Sequence, residues 1–191
     1  MVLLASTPDF EFFPSSDRVY KVACFDELKH FGPTSFQEVG TYHGLQFRGF
    51  DLVPGRPRPN TAGKRPSHED KVAAYGRHEQ YSVGQPTVTV DYAGSSWKTF
   101  DLESFHFCGI SDDSTAFDCE PKECTVVVTG YGANNKKVGL KVFTFVPGSA
   151  NMAMASLGFR GLTSVKFSTT FPPGSRKIAT FLDSLAYTLH K

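Results

Sequence analysis

Residues 124–146, CTVVVTGYGANNKKVGLKVFTFV, constrain the fold most. Two runs rich in β-branched and aromatic residues flank a short segment of Gly and Asn. Side chains that alternate with period two suit a strand buried on one face, and YGANNKK suits the turn of a hairpin. Similar runs recur along the chain as YKVACF, LQFRGFDLV, PTVTVDY, KTFDLESFHF, LTSVKFSTTF and IATFLDSLAYTL. Turn residues break them at short intervals, and no long amphipathic helix appears among them. The pattern predicts an all-β protein, an antiparallel β-sandwich of jelly-roll type with little helix. SFQEVGTY and ATFLDSLA are read as short helices or strands. Residues 54–85 are polar and rich in Pro and Gly, and read as one long loop.

With 191 residues the chain is long enough for one domain with a core, and 1–191 is read as a single domain with a poorly ordered start at 1–15. Lys and Arg total 20 against 19 Asp and Glu, a formal net charge of +1, so there is no general attraction for nucleic acid. Arg56, Arg58, Lys64 and Arg65 lie among prolines and glycines and read as a solvated loop. No apolar run is long enough to span a membrane. MVLLAST is too short for a signal peptide and lacks a charged start; it reads as a start Met in place of a removed leader. The expected location is therefore outside the cell or in the secretory lumen. Four cysteines fit an oxidising compartment, and Cys108–Cys124 is the favoured disulfide among three possible pairings.

Several motifs are missing. There is no G-x-S-x-G elbow, P-loop or G-x-G-x-x-G turn, and the cysteine spacing does not fit zinc. No spacing among Glu38, Glu69, Asp70, Asp101 and Glu103 singles out a glycosidase pair.

The candidate site residues come from three segments. In TYHGLQFR, extended alternation puts Tyr42 and Arg48 on one face and His43 on the other. In FDLESFHF, Phe100, Leu102, Ser104 and His106 share the face with fewer charges, which is taken as the inner one, so His106 is expected to be buried. The long segment adds His68, Tyr75, Arg77, His78 and Tyr81, of which two or three are expected to line a pocket. Trp97 is the one tryptophan and a single possible sugar platform; with 18 Phe in the chain, most aromatic rings are expected in the core.

The order of FDEL, YHGLQFRGFDLVPG, VAAYG, PTVTVDYAGSS, FDLESFHFCG, CTVVVTGYGANNKKV, FRGLTSVKFST and FLDSLAYTL resembles a group of fungal secreted jelly-roll proteins. That group is distantly similar to carbohydrate-binding modules and lectins, and the resemblance covers residues 20–189. Some of its members resemble hetero-Diels–Alderases of meroterpenoid pathways. The resemblance implies a cofactor-independent pericyclase acting on a phenolic or terpenoid substrate. In that role His, Tyr and Arg would assist loss of a benzylic hydroxyl, and a shaped pocket would orient the cycloaddition. Tyr42, His43, Arg48, His68, Tyr81 and His106 would be catalytic, with Tyr75, Arg77, His78 and Trp97 binding substrate. The alternative is a non-catalytic module that binds oligosaccharides. By the same resemblance, Asp26, Glu27 and Asp183 would hold a structural Ca²⁺, if one is bound. An exposed sheet face would suit a homodimer.

Overall fold

The computed structural model describes residues 17–29, 37–54, 71–76, 84–112, 119–148, 151–174 and 178–191. Among them are β1 (Arg18–Ala23), β2 (Gln37–Tyr42), β3 (Leu45–Pro54), β4 (Lys71–Gly76), β5 (Thr87–Thr89) and β6 (Thr99–Asp112). The chain continues through β7 (Cys119–Lys122), β8 (Cys124–Tyr131), β9 (Lys137–Phe145), β10 (Ala153–Leu162), β11 (Ser164–Thr170) and β12 (Ile178–His190). The all-β expectation holds, and every strand pairing is antiparallel.

The strands form one sheet in the order β10-β6-β12-β4-β3-β5-β11-β8-β9, with β1, β2 and β7 paired to β12, β3 and β6. The sheet rolls until its two ends meet, nearly closing a barrel. At the seam a Cβ on Gly139 of β9 would come within 2.7 Å of the Phe159 ring of β10. Lys141 Nζ also donates to the Ser156 carbonyl across the seam, at 3.2 Å.

Phe rings fill the interior. Phe50 and Phe105 both meet Phe167 edge to face, with centroids 5.7 and 5.6 Å apart. Edge-to-face contact sets a positive ring edge against a negative ring face, and so fixes ring orientation as well as burying area.

Three segments differ from the sequence reading. KVAAYG, assigned to a long loop, is β4, a nearly buried strand between β12 and β3. Both candidate short helices are strand: SFQEVGTY supplies β2, and ATFLDSLA lies inside β12. AMASLGFRGL, not read as a strand, is β10.

The inner face of β6 changes partway along. Phe100 and Leu102 are buried, and so are Phe105 and Phe107. The switch comes from an extra residue in β6: between Ala186 and Tyr187, one step along β12, β6 takes two, from Ser104 to Leu102, and the partner strands slip as well, β12 between Asp183 and Ala186 and β10 between Ser156 and Phe159. Ser184 and Gly158, inside those slips, have φ of 50° and 64°. His106 therefore does not share a face with Phe100 and Leu102, and it is half-buried rather than buried.

Candidate functional site

Several of the described sequence-predicted residues gather at one place, and Trp97 stands at another. One cluster forms where β1 leaves the sheet beside the β2–β3 turn and the bulge of β12. Here the extended reading of TYHGLQFR fails. His43 and Gly44 form a two-residue hairpin turn, with φ of 49° and 87°. The turn sends Tyr42 into the core, 6% exposed, and leaves Arg48 outside. Tyr42 and Arg48 therefore do not act together.

The Tyr42 and His43 rings stack at 4.0 Å, and His43 Nε2 lies 3.1 Å from Glu27 Oε2. The Tyr187 hydroxyl donates to the His43 carbonyl at 3.1 Å. Burial pushes the Tyr42 hydroxyl up to about 12, with the nearby Glu27 carboxylate adding to it. Burial, helped by Asp183, also raises the Cys24 thiol. At neutral pH both stay protonated, so neither is an activated nucleophile or base.

Among the described residues no group of three or more His, Cys, Asp or Glu is arranged to hold a metal ion. The three expected Ca²⁺ ligands have other partners. Asp26 Oδ1 accepts the Lys71 N–H at 3.1 Å, Glu27 meets His43, and Asp183 Oδ1 accepts the Ser184 N–H at 2.7 Å.

Two expectations are corrected by burial and sulfur placement. Tyr75 does not bind substrate from a loop; it is a core residue of β4, 1% exposed. Its hydroxyl shares a 2.7 Å hydrogen bond with Thr169 Oγ1, and burial raises its pKa. Cys108 and Cys124 are not joined by a disulfide. A Cβ on Gly109 would come 2.8 Å from Cys124 Sγ, so that sulfur packs over Gly109. Cys108, the preceding residue of β6, faces the other side of the sheet. Burial pushes the Cys124 thiol up to about 12. His68, Arg77, His78 and Tyr81 lie outside the described residues.

The second place is an open depression of about 550 Å³. Its floor is Thr89, Val90, Thr163 and Ser164, at the ends of β5 and β11. Thr89 Oγ1 donates to the Thr163 carbonyl at 2.8 Å and accepts the Asp91 N–H at 2.9 Å, which turns the chain away from β5. A tight turn follows, closed by Ser95 N–H on the Tyr92 carbonyl at 3.1 Å. It brings Asp91, Tyr92 and Trp97 to one wall.

Trp97 is fixed from beneath. A Cβ on Gly44 would come 2.9 Å from its Nε1, so only glycine lets the β2–β3 turn approach the indole this closely. The tip of the β8–β9 hairpin also lines the depression, with Asn134 and Asn135 exposed and at φ of 56° and 58°. Asn tolerates this left-handed conformation better than most residues. Among the described lining residues, Val90 alone has no polar side-chain atom.

Among the described sequence candidates, only Trp97 lines this depression. Asp91, Tyr92, Asn134 and Asn135 were missed as site residues, although DYAGSSW and YGANN both stood out in the sequence. Their meeting depends on sheet order, which local patterning does not encode.

The chain thus defines a rolled antiparallel sheet with a polar, aromatic-walled depression at one end. No family model and no curated protein matches it. Among solved structures it is similar to the crystal structure of a DUF4465 family protein from Bacteroides caccae, with a TM-score of 0.57 and 11% identity. The match covers 91% of this chain and 100% of the other, and at that identity it speaks to fold.

Proposed function

We propose that this protein is a non-catalytic saccharide-binding protein, with the depression at Trp97 as its site. One observation carries the reading: the Trp97 and Tyr92 rings share a single open depression with the Asp91 carboxylate and the Asn134 and Asn135 amides. Sugars offer C–H faces that pack on aromatic rings and hydroxyls that bond to amides and carboxylates. The volume lies within the range of small-ligand sites. We read the rolled sheet as a flattened jelly-roll sandwich of the lectin-like kind, and a secreted location goes with this role. The reading needs no cofactor.

The pericyclase reading calls for an apolar chamber with an acid and a base at its mouth. Among the described residues, the large Phe side chains pack on one another, and Tyr42 and Tyr75 belong to the core. That reading draws no support from them.

Trp97 is the one tryptophan, so its fluorescence reports binding directly. Titration with a panel of cell-wall oligosaccharides is expected to change Trp97 emission saturably. Trp97→Ala should weaken binding about tenfold or more, roughly 1.4 kcal/mol. Trp97→Phe, which keeps a ring against Gly44, should lose less. A panel that produces neither an emission change nor a calorimetric signal would defeat the proposal.

A further inference from the structure

The outer sheet face beside the depression is basic. Strand register places Arg48 of β3 opposite Thr87 of β5, Thr87 opposite Lys166 of β11, and Lys166 opposite Thr129 of β8. The next row runs through Gln46, Thr89, Ser164, Tyr131 and Lys137. These two rows contain no Asp or Glu. Contacts confirm the shared face: Arg48 Nε donates to Gln46 Oε1 at 2.8 Å, and Lys166 Nζ sits 5.0 Å from the Tyr131 ring centroid.

Arg48 and Lys166 stand two strand spacings apart, about 10 Å. Arg48 also reaches the depression, with Nη2 donating to the Asp91 carbonyl at 3.4 Å. Inside the depression Lys98 lies exposed on the lining. The Lys191 ammonium hangs 5.6 Å from the Trp97 ring centroid. Asp91 is the one carboxylate among the described lining residues. Three cations, Arg48, Lys98 and Lys191, thus stand close to Trp97 and Asp91, although the whole chain has a formal net charge of only +1.

Building on the saccharide reading above, we infer that the ligand is an acidic oligosaccharide, carboxylated or sulfated, longer than the depression. One ring stacks on Trp97 with its anionic group at Lys191 or Lys98. The following sugars run over the outer face, where Arg48 and Lys166 meet further anionic groups. Partly exposed cations of this kind supply affinity that falls with ionic strength.

The test compares probes that differ in charge alone: oligogalacturonate and its fully methyl-esterified form, matched in length. A sulfated galactan oligomer is run beside them, and an oligodeoxynucleotide of equal charge is the control. Trp97 emission and calorimetry are the readouts. At low salt one of the two acidic oligomers is expected to bind at least tenfold more tightly than the neutral ester. High salt should narrow that gap. Whichever acidic oligomer binds identifies the anionic group.

The double variant Arg48→Gln, Lys166→Gln should lose most of the gap while keeping the melting temperature and the weak binding of the ester. Equal binding of ester and acid, or a gap untouched in the double variant, would overturn the inference and leave the saccharide site standing. Equally tight binding of the oligonucleotide would overturn the assignment to a saccharide. If no sugar binds, the proposed function itself falls.

Discussion

Single residues at the seams of the sheet test the packing most sharply. A Cβ on Gly109 would stand 2.5 Å from the Lys122 carbonyl oxygen and 2.8 Å from Cys124 Sγ. The carbonyl belongs to the backbone of β7 and cannot rotate away. Gly109→Ala is therefore expected to destabilise the fold by about 1–3 kcal/mol, read as a lower denaturation midpoint. Asp101 tests electrostatics at the same scale. Its carboxylate accepts the Gly161 N–H at 2.8 Å and Arg160 Nη1 at 3.0 Å, with His190 Nε2 at 3.1 Å. Burial raises its pKa, but these partners outweigh burial and hold it below the usual carboxylate value. A depressed folded pKa means stability that is fully present above the unfolded value, about 4, and is lost as pH falls through the folded value. Asp101→Asn should therefore lower stability at pH 6 and make it less sensitive to pH below about 4. Urea denaturation across that range gives the measurement.

At the scale of elements, the sequence was most legible where alternation was unbroken. CTVVVTGY is β8 residue for residue, and the YGANNKK turn is where it was expected. Legibility failed where a strand is covered on both faces or bulged. In KVAAYG the central four residues are all buried, so no polar alternation marks β4. FDLESFHF looked regular, yet a bulge exchanged its faces and moved His106 off the expected inner row. At the site, Trp97 was legible as the one tryptophan and is partly buried against the core, whereas its partners come from separate turns that only sheet order brings together. The hidden strand can be tested directly. The Tyr75 hydroxyl bonds Thr169 Oγ1, which also accepts from Thr180 Oγ1 at 2.8 Å. This links β4, β11 and β12 across the core. Tyr75→Phe keeps the ring and removes one link, so it is expected to cost about 1 kcal/mol. A melting temperature lower by roughly 2–4 °C would report that cost in a chain of this size. If Tyr75 were instead at the surface, the substitution would leave melting unchanged.

On the scale of the whole molecule, the sheet order makes the last strand indispensable. β12 pairs with β1 along Ala23–Arg18, with β4 at Leu182–Ala179, and with β6 over nearly its whole length. It therefore joins the earliest described strand to the interior of the sheet, and Leu182, Leu185, Tyr187 and Leu189 bury their side chains in the shared core. Without β12, β1 loses its paired edge, β4 and β6 each gain a bare one, and one wall of the core opens to water. A chain ending before Ile178 is thus expected to lose the cooperative fold entirely rather than soften at one end. The comparison is equilibrium denaturation of the full chain and of the chain lacking residues 178–191. The full chain should unfold in one steep transition, and the shortened one should show no cooperative transition and should bind a hydrophobic dye. Pairing of β1 with β12 also closes a loop of almost the whole chain, so ordering entropy must be lost before those contacts form. Refolding from denaturant should be correspondingly slow, in milliseconds to seconds, as for other sheets dominated by long-range pairing. A cooperative transition in the shortened chain, with near-native stability, would show that the sheet closes without this interior strand and would overturn the topology on which both binding surfaces depend.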